Sequence, residues 1–189
     1  YYGDRRASTG ILILRSENVT VENTKVLNIR PNELKRSHSD TIDGQLVWFR
    51  HCGILGIKTK SLTVRDNYIK NITYSAMETR IGSEDSKFIG NTAVDCWEHM
   101  VQPTIRYGQV SILDLNEEDR FNQGVLIAGN TGIGAFTDIT THAKNVAIIG
   151  NTLIDVTDTR SMSFREYTDG LTVIGNTLIS TGAKAPLAF

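Results

Sequence analysis

The sequence predicts an all-β solenoid, in which short strands stack coil upon coil around an apolar core. Two observations lead to this prediction. The tripeptide Gly-Asn-Thr occurs four times, ending at Thr92, Thr131, Thr152 and Thr177. An apolar residue stands three positions before each of these asparagines, and another follows two or three positions after it. Short runs of alternating apolar and polar residues that recur in a fixed frame are typical of strands stacked along one axis.

The spacing of the frame predicts about eight coils. Asn67 stands in the same frame without the glycine, and Asn23 is a weaker copy that lies one residue out of frame. Neighbouring copies are 21, 24 or 25 residues apart, whereas Asn23–Asn67 and Asn91–Asn130 are 44 and 39 residues apart. Each long interval is interpreted as two coils, which gives a mean period of about 22 residues and two coils that have lost their asparagine.

The recurring asparagine suits a bend between two strands, because asparagine tolerates the left-handed backbone region. If the bends of successive coils are aligned, each side-chain amide can hydrogen-bond to its copy in the next coil. We therefore expect a ladder of asparagines that satisfies polar groups inside the corner.

Composition excludes several classes of protein. The 189 residues carry 20 Lys and Arg against 21 Asp and Glu, a net charge of −1, which argues against a nucleic-acid partner. No apolar run approaches the roughly 18 residues of a membrane helix, so no membrane partner is expected.

Cys52 and Cys96 are predicted to lie two coils apart, roughly 9.6 Å, which is too far for a disulfide, and both are therefore predicted to be free. Residues 1–189 are predicted to form one domain, a fragment of a longer chain because the sequence opens inside a patterned region.

The frame Gly-Ile-x-Φ, Val-x-Ile-x-Gly-Asn-Thr, Φ-Ile extends from about Gly10 to Thr181. It resembles the right-handed parallel β-helix of the pectate-lyase-like superfamily. The resemblance implies three parallel sheets, the second before each asparagine and the third after it. The first sheet would then be formed by Gly10–Leu14, Asp40–Gly44, Gly53–Lys58, Ala76–Ile81, Ser111–Leu115, Asp138–His142 and Ser161–Arg165. The superfamily includes polysaccharide lyases, hydrolases, epimerases and phage tailspikes, so the resemblance implies a fold more than a chemistry.

Function is usually carried where a repeat is interrupted, and residues 30–52, 72–85 and 96–123 interrupt this one. The first interruption contains His38-Ser39-Asp40-Thr41-Ile42-Asp43-Gly44. This stretch is similar to the His-x-Asp-x-Ile segment of several β-helix proteins that act on carbohydrates. The similarity implies that His38 and Asp40 lie at the edge of a substrate groove. A plain turn built on Asp-Gly is the alternative.

The outward positions of the predicted first sheet carry charges of both signs. Inverting glycoside hydrolases need two carboxyl groups about 6.5–9.5 Å apart. Asp43 and Glu78 are predicted two coils apart, about 9.6 Å at backbone level, with Lys58 between them. They are the candidate acid and base. In an eliminating lyase, Lys58, Arg80 and His38 would neutralise a substrate carboxylate or take a proton. The alternative is a salt-bridged ladder on a solvated face.

Further substrate-binding candidates are outward polar residues and aromatic residues of the interruptions, on which sugar rings can stack. They are Asp40, Trp48, Arg50, Tyr74, Asp138, His142 and Arg165. No resident metal or other cofactor is predicted. Calcium is left open, because several acidic residues could converge on one ion. These residues are Asp40, Asp43, Glu78, Glu84 and Asp85.

Together these patterns favour an extracellular or virion-associated enzyme that binds an acidic polysaccharide and cleaves it by hydrolysis or β-elimination. Two alternatives stay open. One is a uronate epimerase on the same fold. The other is a non-catalytic shaft or receptor-binding module of a tailspike-like protein, which would form a homotrimer.

Overall fold

Each coil of the chain contains three short strands joined by tight corners. The structure is a computed structural model. It describes residues 9–29, 38–42, 45–49, 51–104, 121–134, 139–155, 162–164 and 168–179, of which 38–42 and 45–49 are described as backbone. Strands and no helices are found in these ranges. None of them therefore contains a helix with the length and hydropathy needed to cross a bilayer.

Within the described residues, three parallel sheets of six strands each form the walls of the solenoid. Strands are numbered in chain order. The first sheet consists of β1 (Thr9–Leu14), β6 (Cys52–Ile57), β9 (Ser75–Arg80), β12 (His99–Thr104), β15 (Ile139–Thr141) and β18 (Met162–Phe164). The second consists of β2 (Thr20–Glu22), β7 (Thr63–Arg65), β10 (Lys87–Ile89), β13 (Asn122–Ala128), β16 (Ala143–Ile149) and β19 (Thr172–Ile174). The third consists of β3 (Lys25–Leu27), β8 (Tyr68–Lys70), β11 (Thr92–Val94), β14 (Thr131–Ile133), β17 (Thr152–Ile154) and β20 (Thr177–Ile179). The predicted parallel β-helix with three sheets is confirmed.

The core is built from columns of apolar side chains that point into the solenoid. In the second sheet, strand pairing aligns the residues three positions before each asparagine, from Val64 through Phe88 and Ile127 to Ile148. All four are at most 1% exposed. Complete burial of one such side chain contributes about 1.5–3 kcal/mol. A single coil cannot bury both sides of its apolar residue, so the stacking itself stabilises the fold.

The asparagines form the predicted ladder inside the corner between the second and third sheets. Nδ2 of Asn67, Asn91, Asn130 and Asn151 each donates to Oδ1 of the next asparagine at 2.8–2.9 Å, and the series ends at Asn176. The backbone N–H of each donor residue bonds to the same oxygen. Nδ2 also donates to a carbonyl of the preceding coil. The ladder therefore satisfies polar groups that burial would otherwise leave unpaired.

The first coil departs from the predicted frame at Asn23. Thr24 stands at the ladder position, because its N–H donates to Oδ1 of Asn67 at 3.0 Å. Asn23 lies one position earlier and has a left-handed backbone with φ of 52°. The equivalent residues of the next two coils, Asp66 and Gly90, have φ values of 55° and 63°. Asn23 thus serves the turn, and the one-residue offset in the sequence reflects this different role.

The described part of the chain forms six coils, so the prediction of eight was wrong. β2 pairs directly with β7, and β10 pairs directly with β13. Each of the two long asparagine intervals therefore spans a single coil that carries an insertion. An insertion and a lost repeat lengthen an interval in the same way, so spacing alone could not distinguish them.

The segment predicted as the first-sheet strand Asp40–Gly44 contributes to a hairpin instead. β4 (His38–Ile42) and β5 (Gln45–Phe49) pair in an antiparallel two-stranded sheet separate from the three walls. Asp-Gly, which separates these strands in the sequence, favours a two-residue hairpin turn. In the fourth coil the first-sheet strand is β12; the segment Ser111–Leu115, which was predicted for this role, lies outside the described residues.

Candidate functional site

A row of polar side chains lies on the outer face of the first sheet, where β6, β9 and β12 run side by side. Met77 belongs to the core, and neighbouring side chains of a strand point to opposite faces, so Glu78 lies on the outer face. The register places Leu55 and Gln102 on either side of Glu78. Glu78 and Gln102 are both buried. Because buried polar groups need partners, the contacts of these two residues define the site.

The carboxylate of Glu78 is held by two neighbours. Arg80 donates from Nε to Oε1 at 2.5 Å and from Nη2 to Oε2 at 2.8 Å. The thiol of Cys52, on the preceding coil, donates to Oε2 at 3.1 Å. A guanidinium that contacts both oxygens of a carboxylate forms the stronger, two-point type of ion pair. Both oxygens of Glu78 are engaged, and its side chain is shielded from solvent.

The charges of this cluster follow from burial and proximity. Burial, reinforced by the Glu78 carboxylate, raises the pKa of the Cys52 thiol well above its usual value. Burial acts to lower the pKa of Arg80, but the charge and hydrogen bonds of Glu78, with smaller contributions from Cys52 and Tyr74, together outweigh burial and raise the pKa. At neutral pH Cys52 is therefore a neutral thiol and Arg80 a cation. Since the thiolate is the nucleophilic form, Cys52 is unsuited to nucleophilic catalysis.

Gln102 continues the row on the next coil. Ser75 Oγ donates to Oε1 of Gln102 at 3.3 Å. In the part of the chain that the structure describes, Nε2 of Gln102 has no hydrogen-bond partner, although it is buried. A buried donor without an acceptor costs about 1–3 kcal/mol. The next residue, Pro103, has no N–H to donate to a neighbouring strand. On the side of β15, β12 is paired at one position, Val101 with Ile139.

Beyond Gln102 the row reaches a partly exposed rim. Thr104 Oγ1 lies 3.3 Å from Nδ1 of His142, and the backbone N–H of His142 donates to the carbonyl of Pro103. His142 is partly exposed, whereas Phe164 packs against the core. Near the starts of β9 and β12, the buried rings of Tyr74 and His99 meet edge-on, with centroids 5.7 Å apart. His142 is therefore the partly exposed end of the row.

Of the predicted catalytic residues, the structure brings together Glu78 and Arg80. Lys58 follows the end of β6 in a left-handed corner with φ of 50°, one residue beyond the pair of Ile57 and Arg80. Its catalytic role stays a prediction. His38 is the first residue of the hairpin strand β4. Asp43 lies outside the described residues, so the Asp43–Glu78 pair stays a prediction.

The predicted substrate-binding residues are dispersed. Tyr74 is buried against His99 and does not present an open stacking surface, whereas His142 lies at the rim of the row. Asp40 and Trp48 lie in the hairpin strands β4 and β5. Three further candidates lie outside the described residues, namely Arg50, Asp138 and Arg165.

The described acidic residues do not form a metal site. Glu84 lies 3.9 Å from Nζ of Lys60, and Asp85 occupies a left-handed corner with φ of 51°. Across the described ranges, no group of three or more His, Cys, Asp or Glu side chains is arranged to hold a metal ion. Asp43 lies outside the described residues and Asp40 is described as backbone, so calcium binding stays a prediction.

Sequence reasoning missed Cys52, Ser75 and Gln102 as members of the site. The sequence did contain a signal, because Glu78 and Gln102 each follow a core residue in a six-residue strand. Their alignment, however, becomes visible only in the register of β9 and β12.

The two cysteines are free and buried, as predicted. They do not occupy equivalent positions, because Cys52 contacts Glu78 on the outer face and Cys96 belongs to the core.

Comparisons with known proteins support the fold. No protein-family model matches the sequence, and no curated protein is significantly similar to it. Among solved structures, the chain is similar to the Streptococcus pneumoniae surface protein and adhesin PfbA, with a TM-score of 0.52 and 13% sequence identity. The match covers 95% of this chain and 62% of that chain. The chain therefore shares an all-β, parallel β-helical architecture with a longer bacterial surface protein, and membership of the pectate-lyase-like superfamily stays a resemblance.

Proposed function

We propose that this protein is a polysaccharide-binding β-helix module that acts outside the cell through the outer face of its first sheet. In this proposal Glu78 organises the face and does not act as a catalytic acid or base. The proposal rests on the hydrogen bonds and the burial of the Glu78 side chain. Its oxygens accept hydrogen bonds from Arg80 and Cys52, and its side chain is shielded from solvent. A general acid or base must reach the reacting atom and exchange a proton with it, and this arrangement hinders both.

The chemistry of the row favours a ligand rich in hydroxyl groups. The partly exposed His142 supplies a ring nitrogen to a ligand, while Gln102 and Ser75 are fully buried behind it. The charge of Arg80 is balanced by Glu78, so this face recognises hydrogen-bond donors and acceptors more than net charge.

The solved structure to which the chain is similar supports a binding role by analogy of fold. That protein is a surface protein and adhesin, which implies attachment and an extracellular location. A β-helix carries many functions, so the shared fold adds to the observation at Glu78 and does not replace it.

The test measures binding and cleavage in the same samples. The 189-residue chain is incubated with neutral and uronic-acid polysaccharides. Binding is followed by calorimetry, new double bonds by ultraviolet absorbance, and hydrolysis by reducing ends. We expect binding to at least one polysaccharide, with neither new double bonds nor new reducing ends. His142→Ala should weaken this binding about tenfold or more. That loss corresponds to about 1.4 kcal/mol.

Thr131→Val, on the outer face of the third sheet, is the matched control and should bind like the unaltered chain. Cleavage that disappears in Glu78→Gln, while the variant stays folded, would overturn the proposal in favour of the predicted enzyme. Absence of binding across the whole panel would also overturn it.

A further inference from the structure

The third sheet presents two unbroken columns of side chains on its outer face, across β11, β14, β17 and β20. Ala93 and Leu153 belong to the core, so the residues on either side of them in β11 and β17 lie on the outer face. Strand pairing aligns these outward residues from coil to coil. One column consists of threonines and the other of aliphatic residues. The columns are Thr92, Thr131, Thr152 and Thr177, and Val94, Ile133, Ile154 and Ile179.

This face is uncharged and open to solvent. All eight residues of the two columns are partly or largely exposed. None of the four strands contains a charged residue. In the first two coils, the aligned positions include Lys25, Tyr68 and Lys70. The sheet therefore accommodates charge, and strand formation alone does not require a neutral face over the four later coils.

The face also repeats in two directions. Neighbouring strands lie about 4.8 Å apart, and residues two apart within a parallel strand are separated by about 6.6 Å. Threonine, valine and isoleucine are branched at Cβ, which restricts the orientations of their hydroxyl and methyl groups. The hydroxyls can hydrogen-bond to water, and the aliphatic groups restrict the freedom of adjacent water. Such a surface suits a neutral ligand whose own surface repeats at similar distances.

We propose that the outer face of β11, β14, β17 and β20 adsorbs to ice. Water molecules at the surface of an ice crystal form rows with comparable spacings, carry no net charge, and both donate and accept hydrogen bonds. Waters held in order by the threonines join the crystal, and such ordered waters bridge two surfaces nearly as well as direct hydrogen bonds. This inference is independent of the proposed function, because it concerns the third sheet and not the first.

Other occupants fit this face less well. Four strands of three residues give a footprint of roughly 19 Å by 10 Å, or about 190 Å². A stable protein–protein interface buries about 800 Å² on each partner, so the face is small for a protein. A crystalline polysaccharide also repeats, but sugars pack best on aromatic rings, and none of the four strands contains one.

The main experiment observes ice directly. The 189-residue chain is added to a film of small ice crystals held just below the freezing point, and microscopy follows their shape and growth. We expect faceted crystals and suppressed recrystallisation. Thr152→Lys should raise the protein concentration required about tenfold or more, because its charge must lose water to enter a neutral lattice. Thr20→Lys, on the outer face of the second sheet in the first coil, is the matched control and should act like the unaltered chain.

A second variant tests the hydroxyl alone. Thr131→Val keeps the shape of the side chain and should weaken the effect on ice less than Thr152→Lys does. Circular dichroism should show that all three variants remain folded, because the substituted side chains lie outside the core. Ice growth that the unaltered chain leaves unchanged, or equal activity in all variants, would overturn the proposal. A dimer dissociated by Thr152→Lys, or binding to crystalline cellulose without any effect on ice, would also overturn it and identify the other occupant.

Discussion

Asn91 and Asn130 are joined by two hydrogen bonds although 39 residues separate them in the sequence. Both Nδ2 and the backbone N–H of Asn91 donate to Oδ1 of Asn130 at 2.9 Å. The insertion between them leaves the corner unchanged. The ladder thus fixes the register of successive coils, while the chain between corners varies in length.

Replacing Asn130 with alanine should lower the free energy of unfolding by about 2–3 kcal/mol, because two buried donors of Asn91 lose their acceptor. Urea denaturation measures this change. Asn176→Ala is the control: it removes the acceptor of Asn151 at a partly exposed position, where water can replace it, so a loss of about 1 kcal/mol or less is expected. Equal losses at the two positions would contradict the role of burial in the ladder.

Removing one member of the Glu78–Arg80 pair should be more harmful than removing both. Glu78→Leu leaves the Arg80 cation buried without its partner and should lower the free energy of unfolding by about 3–5 kcal/mol. The double variant Glu78→Leu, Arg80→Leu should lose less than either single variant. A double-mutant cycle in urea measures the coupling, and strictly additive effects would show that the pair does not act as a unit.

The raised pKa of Cys52 predicts a specific pH dependence of stability. A thiol whose pKa is higher in the folded than in the unfolded chain holds its proton more tightly when folded. Its contribution is fully present below the ordinary thiol pKa of about 8.5 and is lost as pH rises from there through the raised folded value. Urea midpoints between pH 7 and 10 measure this loss.

Cys52→Ala should make the decline above pH 8.5 shallower, and subtraction of the two profiles removes the titration of other groups. Identical slopes would contradict the burial of the thiol. In the same preparation, a thiol reagent should label neither cysteine in the native protein and both in urea, because Cys52 and Cys96 are buried.

Gln102→Leu should change stability only slightly. The substitution removes a buried donor that has no partner among the described residues, together with the bond from Ser75. These effects oppose one another, so the free energy of unfolding, measured in urea, should change by less than about 1 kcal/mol. Polysaccharide binding measured by calorimetry should stay the same, because Gln102 is fully buried. A loss of several kcal/mol would show that the bond from Ser75 outweighs the unpaired donor.

Much of the fold was predictable because the same residue types recur at fixed positions of the repeat. The Asn frame correctly predicted the second and third sheets, the apolar columns and the ladder from Asn67 to Asn176. It failed at Asn23, where the asparagine serves the turn. It also failed at the hairpin β4–β5, because an insertion and a missing repeat have the same effect on spacing. The site was less predictable: Glu78 and Arg80 were identified, but Cys52 lies 26 residues before Glu78 and only the register of β6 and β9 brings it close.

The sequence by itself determined that apolar residues and asparagines recur at positions where stacking buries them, since this pattern depends only on local order along the chain. Tertiary structure alone decided the number of coils and the neighbours of each outward side chain. It also decided whether a charged group such as Glu78 meets solvent or a partner. These properties depend on pairing between strands that lie more than twenty residues apart, and on the burial that this pairing produces.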